Sequence, residues 1–385
     1  MRKFEKSHPW ISFSVSFKDA PAQLWLLLGE AASKIEHIAG VPLRPSVANE
    51  LHRIYLAKGA FATTAIEGNT LSEEQARKQL DGTLKLPKSQ QYLAQEIQNI
   101  INACTSITES APETQYALTS EAIAKFNKSV LENLPADPEI KPGKFRTKEV
   151  VVGNAYRGAP AEDCPYLVKE LCEWLAGDDF KAPKDLETVY AIIKAIIAHL
   201  YLVWIHPFDD GNGRTSRLIE FYILVHANVP SPAAHLLSNH YNLTRAEYYR
   251  QLRAASESGG NILPFVKYAV EGLVDGLKGQ LAGIKLQQWD VTWRNYVHEM
   301  FRDKTKKIEK RRRDLLLALS EDATPIKELF ELTPRLARLY AKKSMRTLLR
   351  DLEELEKLEL VLIKAGKVRA CKETILAFLP LRKSF

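Results

Sequence analysis

The 385-residue sequence predicts a mainly α protein: a helical main body interrupted by one short β-hairpin, then a small α+β unit at the C-terminal end. Three observations carry this. Apolar residues recur three and four apart in segment after segment, which lines one face of a helix. Short apolar runs closed by turn residues stand at two places, near 149–153 and 360–370. Charge is uneven: residues 303–385 hold 21 Lys/Arg against 13 Asp/Glu, while the rest of the chain nets −1. The composition shifts at the run Lys304–Arg313. The chain therefore divides into an N-terminal helical region (1–110), a main core (111–302) and a basic C-terminal domain (303–385).

Residues 19–36 open on Asp-Ala-Pro, which suits a helix N-terminus. Pro45–Thr64 reads as helix, then Ser72–Leu80. Ser72 with Gln75 three residues on is a capping box, and Glu73 and Glu74 favour the first turn through the helix dipole. Ser89–Cys104 and Thr119–Leu134 are amphipathic. Glu149–Gly153, with Val150, Val151 and Val152, reads as a strand or hairpin, and Tyr166–Leu175 returns to helix. Leu186–Ile205 is apolar on nearly every face, as a central buried helix is. Helices follow at Thr215–His226, Thr244–Ser256 and Ile262–Arg302. The C-terminal pattern gives helices at Arg312–Leu319, Pro325–Leu332 and Ser344–Lys357. A hairpin of 360–363 and 367–370, turning at Ala365-Gly366, closes it.

Composition is that of a globular protein, 45% hydrophobic and 26% charged, which excludes collagen-like and wholly disordered classes. Four cysteines (Cys104, Cys164, Cys172, Cys371) have no CxxC or zinc-finger spacing, so neither a disulfide frame nor a zinc site is expected. The start, MRKFEKSHPWISF, lacks an apolar signal core. Ala191–Ile205 carries Lys194 and His199 and is short for a membrane span. The expectation is a soluble, cytoplasmic protein with no membrane partner.

The chemistry concentrates in one loop, His206-Pro207-Phe208-Asp209-Asp210-Gly211-Asn212-Gly213-Arg214-Thr215-Ser216-Arg217, between two apolar helices. Pro207 and the glycines break the first helix and permit unusual backbone angles. Gly211 and Gly213 stand where a helix begins, and free amides there make an anion site. Arg214 and Arg217, three apart, add guanidinium forks suited to phosphate oxygens. Asp210 is a hard oxygen ligand suited to Mg²⁺. His206 is the group able to take a proton near neutral pH. Walker A, EF-hand and HExxH patterns all fail here. The parts predict phosphate-chain chemistry on a hydroxyl nucleophile.

This loop matches HxFx(D/E)GNGRxxR at every specified position and so resembles the signature of the Fic family. The resemblance implies a mostly helical enzyme that transfers AMP from ATP to a Ser, Thr or Tyr hydroxyl of a target protein. It makes His206 the base, Phe208 the loop's anchor and Asp210 the Mg²⁺ ligand with the α- and β-phosphates. Asn212 and the amides around Gly211 and Gly213 would hold the α-phosphate, Arg214 the β- and Arg217 the γ-phosphate. The related Doc kinases alter the glycine-asparagine portion, so the intact motif favours nucleotidyl transfer over phosphorylation.

Upstream, Thr63-Thr64-Ala65-Ile66-Glu67-Gly68 puts Thr63 and Glu67 on one helical face. By itself this is a helix end with a solvated Glu. Beside the loop it is similar to the family's inhibitory motif, (S/T)xxxE(G/N), whose Glu pairs with the second motif arginine, here Arg217. Some members also use this Glu to activate water and remove AMP. The Val150–Val152 strand resembles the family's target-docking flap, and equally fits a plain structural hairpin. Tyr248 and Tyr249, in Asn242–Tyr249, either line an adenine pocket or pack as core.

The C-terminal order of helices and hairpin looks like a winged helix, with Ser344, Arg346, Thr347 and Arg350 on the recognition helix and Lys364, Lys367 and Arg369 at the wing. Such a domain takes DNA as its partner, or equally a protein or a second copy of the chain, and the acidic far half of the helix (Glu353, Glu354, Glu356, Glu359) counts against DNA. Two functions follow: an AMP-transferase restrained by Glu67, or a winged-helix regulator whose Fic part senses nucleotide or is a degenerate scaffold.

Overall fold

The computed structural model describes residues 2–112, 118–135, 138–152 and 156–376. Contacts divide the chain into two compact units, residues 1–281 and 282–385, so the charge shift at 303 falls inside the second. The first holds α1 (Phe4–Ser7), α2 (Ala22–Gly40), α3 (Pro45–Ile66), α4 (Glu73–Leu80), α5 (Gln91–Ser110) and α6 (Ser120–Val130). Strands β1 (Val151–Val152) and β2 (Tyr156–Arg157) follow. Then come α7 (Cys164–Ala176), α8 (Glu187–Ile205), α9 (Asn212–His226), α10 (Ser231–Ala234), α11 (Leu236–Leu243), α12 (Arg245–Glu257) and α13 (Leu263–Met300), within which the division falls.

The caps explain several boundaries. Ser72 Oγ accepts from Gln75 N–H while Gln75 returns a bond to Ser72 N–H, the reciprocal box its sequence spells. Thr119 caps α6 through a single bond, its Oγ1 accepting from Ala122 N–H. α8 is the frame: Ile192, Ile196, Ile197, Leu200, Leu202 and Ile205 are fully buried, and α9, α7 and α2 pack around it. It begins four residues before Ala191 and is long and apolar enough to cross a membrane by length and composition. Burial of most of its length within the first unit accounts for that apolarity. Two short helices, α10 and α11, stand where the sequence pattern shows none. They pack on α3, where Gly59 lets the ring of His235 lie directly against the helix.

The second unit continues with α14 (Lys307–Ala318), β3 (Thr324–Pro325), α15 (Pro334–Tyr340), α16 (Met345–Lys357), β4 (Val361–Lys364) and β5 (Lys367–Ala370). Its antiparallel sheet has the order β3-β5-β4. Three helices and a closing hairpin come in the order the sequence pattern gives, with the short strand β3 added before α15. The middle helix lies later than Pro325–Leu332. Pro325 pairs with Lys367 in the sheet, and the Thr333-Pro334 pair starts the helix instead, Thr333 Oγ1 accepting from Leu336 N–H (3.1 Å). α14 starts at Lys307 rather than Arg312, so most of the basic run is helical. Its Arg311 and Arg312 turn inward onto the buried carboxylate of Asp351 (2.7 and 3.1 Å), which Tyr340 also meets (2.8 Å).

Candidate active site

The site is built where α8 ends and α9 begins. α8 closes on His206 in the left-handed conformation (φ 50°), its N–H still donating to Leu202 O (2.9 Å). Gly211, also left-handed (φ 77°), starts α9 three residues earlier than Thr215. A Cβ there would lie 3.0 Å from Asn127 Nδ2. Asn212 staples the turn: Oδ1 accepts from Phe208 N–H (3.0 Å) and Nδ2 donates to Phe208 O (2.8 Å). Phe208 is buried against Phe145, ring centroids 5.4 Å apart. Asn127, from α6, donates to Asp210 O (2.9 Å). The turn's shape is therefore held by the chain itself.

A cleft of about 760 Å³ opens over this turn, and His206, Gly213, Arg217, Glu67, Tyr248 and Tyr249 all line it. The His206 imidazole is pushed down to about 4, first by burial and then by the Arg146 guanidinium, against the opposing pull of Val203 O, Glu67 and Asp210. It is thus neutral at pH 7. Nδ1 faces Val203 O at 3.4 Å, which leaves Nε2 to accept a proton.

Arg217 is buried and held through two of its three nitrogens. Nε donates to Thr63 Oγ1 (2.7 Å), and Nη2 donates to Thr63 O (3.0 Å) and to Glu67 Oε1 (2.6 Å). Glu67 ends α3, and Gly68 follows at φ 99°. Burial raises the Glu67 carboxyl, and Arg217, with Arg214 and His206, more than reverses this, holding it below the usual carboxylate range. A Cβ on Gly213 would overlap Glu67 Oε1, so the carboxylate lies directly against the first turn of α9. An anion already sits where the helix end favours one.

Arg214 lies away from the cleft lining, between Glu96 Oε1 (3.2 Å) and both oxygens of Asp210 (3.3 Å each). Tyr248 is buried, its hydroxyl bonded to His199 Nε2 (2.8 Å) and its ring stacked on Tyr241. Tyr249 is exposed to the cleft and donates to Ile66 O (3.3 Å). The two tyrosines therefore divide the readings, one core and wall together, one open to a ligand.

β1 and β2 pair antiparallel, Val151 with Arg157 and Val152 with Tyr156. Val150 O accepts from Gly158 N–H (3.1 Å), and residues 153–155 between the strands lie outside the described residues. Tyr156 OH donates to Trp204 O (2.7 Å), which seats the hairpin beside the end of α8. Arg146 makes the tighter link. It is buried, donates through Nε to His206 O (2.7 Å), through Nη1 to Lys148 O (2.8 Å) and through Nη2 to Ala159 O. Neither Arg146 nor Glu96 stands out in the sequence. A single Arg before a strand and a single Glu on an amphipathic helix carry no spacing signal, because their partners are 60 and 118 residues away.

Comparisons with known proteins agree with this geometry. Residues 117–224 match the family model described as Fic/DOC family. The chain is 31% identical over 235 residues to the protein adenylyltransferase fic-1 of Caenorhabditis briggsae, covering 60% of this chain and 42% of that protein. To the protein adenylyltransferase Fic of Nematostella vectensis it is 28% identical over 208 residues, covering 54% and 44%. It thus spans about two fifths of the length of these relatives. Among solved structures, a Fic family protein from Desulfovibrio desulfuricans shares the fold at TM-score 0.57 and 19% identity, over 91% of this chain and 96% of that one. Residues 134–508 of Fic-1 from C. elegans give 0.55 and 25%, over 69% and 74%. The signature loop, the helical frame around it and these likenesses agree on a domain similar to the Fic/DOC family at residues 117–224.

Proposed function

We propose that the chain transfers AMP from ATP to a hydroxyl side chain of a protein, and that Glu67 restrains it. The observation that carries this is the meeting, in one cleft, of a neutral His206, the open start of α9 at Gly213, and Arg217 paired with a carboxylate. In the reaction His206 Nε2 takes the hydroxyl proton as the oxygen attacks the α-phosphorus. The bond from that phosphorus to the oxygen bridging to the β-phosphorus breaks, and pyrophosphate leaves with the electron pair. The amides at the start of α9 face the charge that builds on the α-phosphate, and the motif arginines face the leaving group.

Asp210 is half-exposed and is the carboxylate that would hold Mg²⁺, leaving Arg214 for the phosphates. Among the described residues no cluster of three or more His, Cys, Asp or Glu gathers for a metal. One carboxylate fits an ion that takes its other ligands from water and substrate phosphates. Bound there, Mg²⁺ would supply charge neutralisation between the α- and β-phosphates. The test is the intact mass of the Glu67→Gly protein after incubation with Mg²⁺ and ATP, alone and with a cell lysate. An AMP-sized adduct on the protein or on a lysate protein is expected. A phosphate-sized adduct would make it a kinase, and no adduct under either condition would overturn the proposal.

A second reading concerns the second unit, as a DNA-binding module. Arg346 and Arg350 stand four apart and exposed on α16, with Lys342 and Lys343 exposed just before it. Arg311 and Arg312, turned onto Asp351, are spent on the fold. Retention of the full chain on duplex DNA against salt tests this. Replacing Arg346 and Arg350 by Ala should lower the log–log salt slope by roughly 2, about 0.9 per lost phosphate contact. An unchanged slope leaves protein docking as the role of this face.

A further inference from the structure

We infer that Glu96 is a positioning residue for Arg214, and that the same carboxylate ties this arginine to the turn that bears Glu67. The inference rests on the AMP-transfer reading above and goes beyond its motif residues. Glu96 comes from α5, outside both the loop and the inhibitory segment. Its Oε1 accepts from Arg214 Nη1 at 3.2 Å, and its Oε2 accepts from Asn69 Nδ2 at 2.7 Å. Asn69 is buried just past Glu67. Its Nδ2 also donates to Leu93 O (2.9 Å), its Oδ1 accepts from Leu71 N–H (3.0 Å), and its own N–H donates to Thr64 O (3.1 Å). Thr64 O takes the N–H of Glu67 as well (3.0 Å). One carboxylate thus holds a motif arginine with one oxygen and the end of α3 with the other.

The division of labour on Arg214 points to its use. The guanidinium is nearly buried, and Glu96 holds it by Nη1 alone, at the protected end. Nη2 faces Asp210 from the half-exposed side. A carboxylate at Asp210 that turns to a cation gives up Nη2, while Glu96 keeps Nη1 and with it the plane of the fork. Arg214 then presents a fixed donor to a phosphate oxygen with little side-chain freedom left to lose. Without Glu96 the arginine keeps its charge and loses its orientation.

The test compares binding of AMP, ADP and ATP, each with Mg²⁺, by calorimetry to the Glu67→Gly protein and to Glu67→Gly/Glu96→Gln. Gln keeps an acceptor for Asn69 and turns an amide N–H₂ toward Arg214 in place of an oxygen. ADP and ATP should bind roughly tenfold more weakly to the double variant, the scale of one oriented charge-assisted contact, with AMP within twofold. Unchanged AMP binding also certifies that the variant is folded. Equal weakening of all three nucleotides makes Glu96 a merely structural residue and overturns the inference, as does no change in any. If the Glu67→Gly protein itself binds none of the three, the AMP-transfer reading falls, and the assignment of Glu96 falls with it.

Discussion

Replacing His206 by Ala in the Glu67→Gly protein is expected to lower AMP transfer by roughly 10²–10⁴-fold, the range for loss of a general base, with ATP affinity changed little. The expectation rests on placement. Among the described residues that line the cleft, no other combines a neutral, proton-accepting nitrogen with a position on the turn that starts α9. The pH profile adds a sharper check. With its imidazole held near 4, His206 is a base throughout the neutral range, so the acid limb of kcat/KM should lie near pH 4 and not near 6.5. Removing Glu67 takes away one of the anions that raise His206, which moves the limb further down. A limb at the ordinary histidine value, in a fully active protein, would contradict the buried neutral base. Stability carries the same sign. Between about 6.5 and 4 the unfolded chain binds a proton that folded His206 refuses, so stability falls as pH falls through that window. His206→Ala should flatten that part of the curve.

Much of the fold is legible because helices announce themselves locally. The capping box at Ser72, the all-round apolarity of α8 and the hairpin turn at Ala365-Gly366 each depend on neighbours within a few residues. The departures share a cause too. Pro325–Leu332 has a helical look, but tertiary pairing to Lys367 takes Pro325 into the sheet, and the stronger start signal eight residues on prevails. The sequence pattern starts α9 at Thr215 because glycines argue against helix. Gly211 in fact serves as the turn itself, and Asn212, by bonding across to Phe208, lets the helix begin inside the motif. The chemistry-bearing loop is legible for a different reason: its base, its anion-binding amides, its guanidinium groups and its carboxylate all fall within twelve consecutive residues. What stays hidden is the support beneath it. Arg146, Asn127, Asn69 and Glu96 act through bonds to residues far off in the chain, and a sequence records such bonds only where the fold is already known.

Glu67→Gly is expected to transfer AMP roughly 100-fold faster than the wild-type protein, with Glu67→Gln in between. A factor of this size corresponds to roughly 2.7 kcal/mol, within reach of one carboxylate removed from a partly dry phosphate site. The side chain opposes an anion in two ways: it lies against the first turn of α9 at Gly213, and it takes one of the donors of Arg217. Gln removes the charge and keeps the bulk, which separates these effects. The arginine itself should not drift when Glu67 goes, because Thr63 still holds it through its hydroxyl and its carbonyl. That retention is why activation, rather than collapse of the site, is the expected sign. Mild acid should not imitate the variant. The Glu67 carboxyl lies below its usual range, so its charge and the restraint it exerts persist from pH 8 down past 5. Stability and activity should move in opposite directions. Breaking the Glu67–Arg217 pair leaves a buried guanidinium short of an anion, so the variant melts earlier without nucleotide. Mg²⁺-ATP then returns a negative charge to that guanidinium, and the rise in Tm on adding it should exceed that of the wild type. Equal rates for the two proteins, together with equal thermal shifts, would mean that Glu67 is only a helix end that happens to meet an arginine.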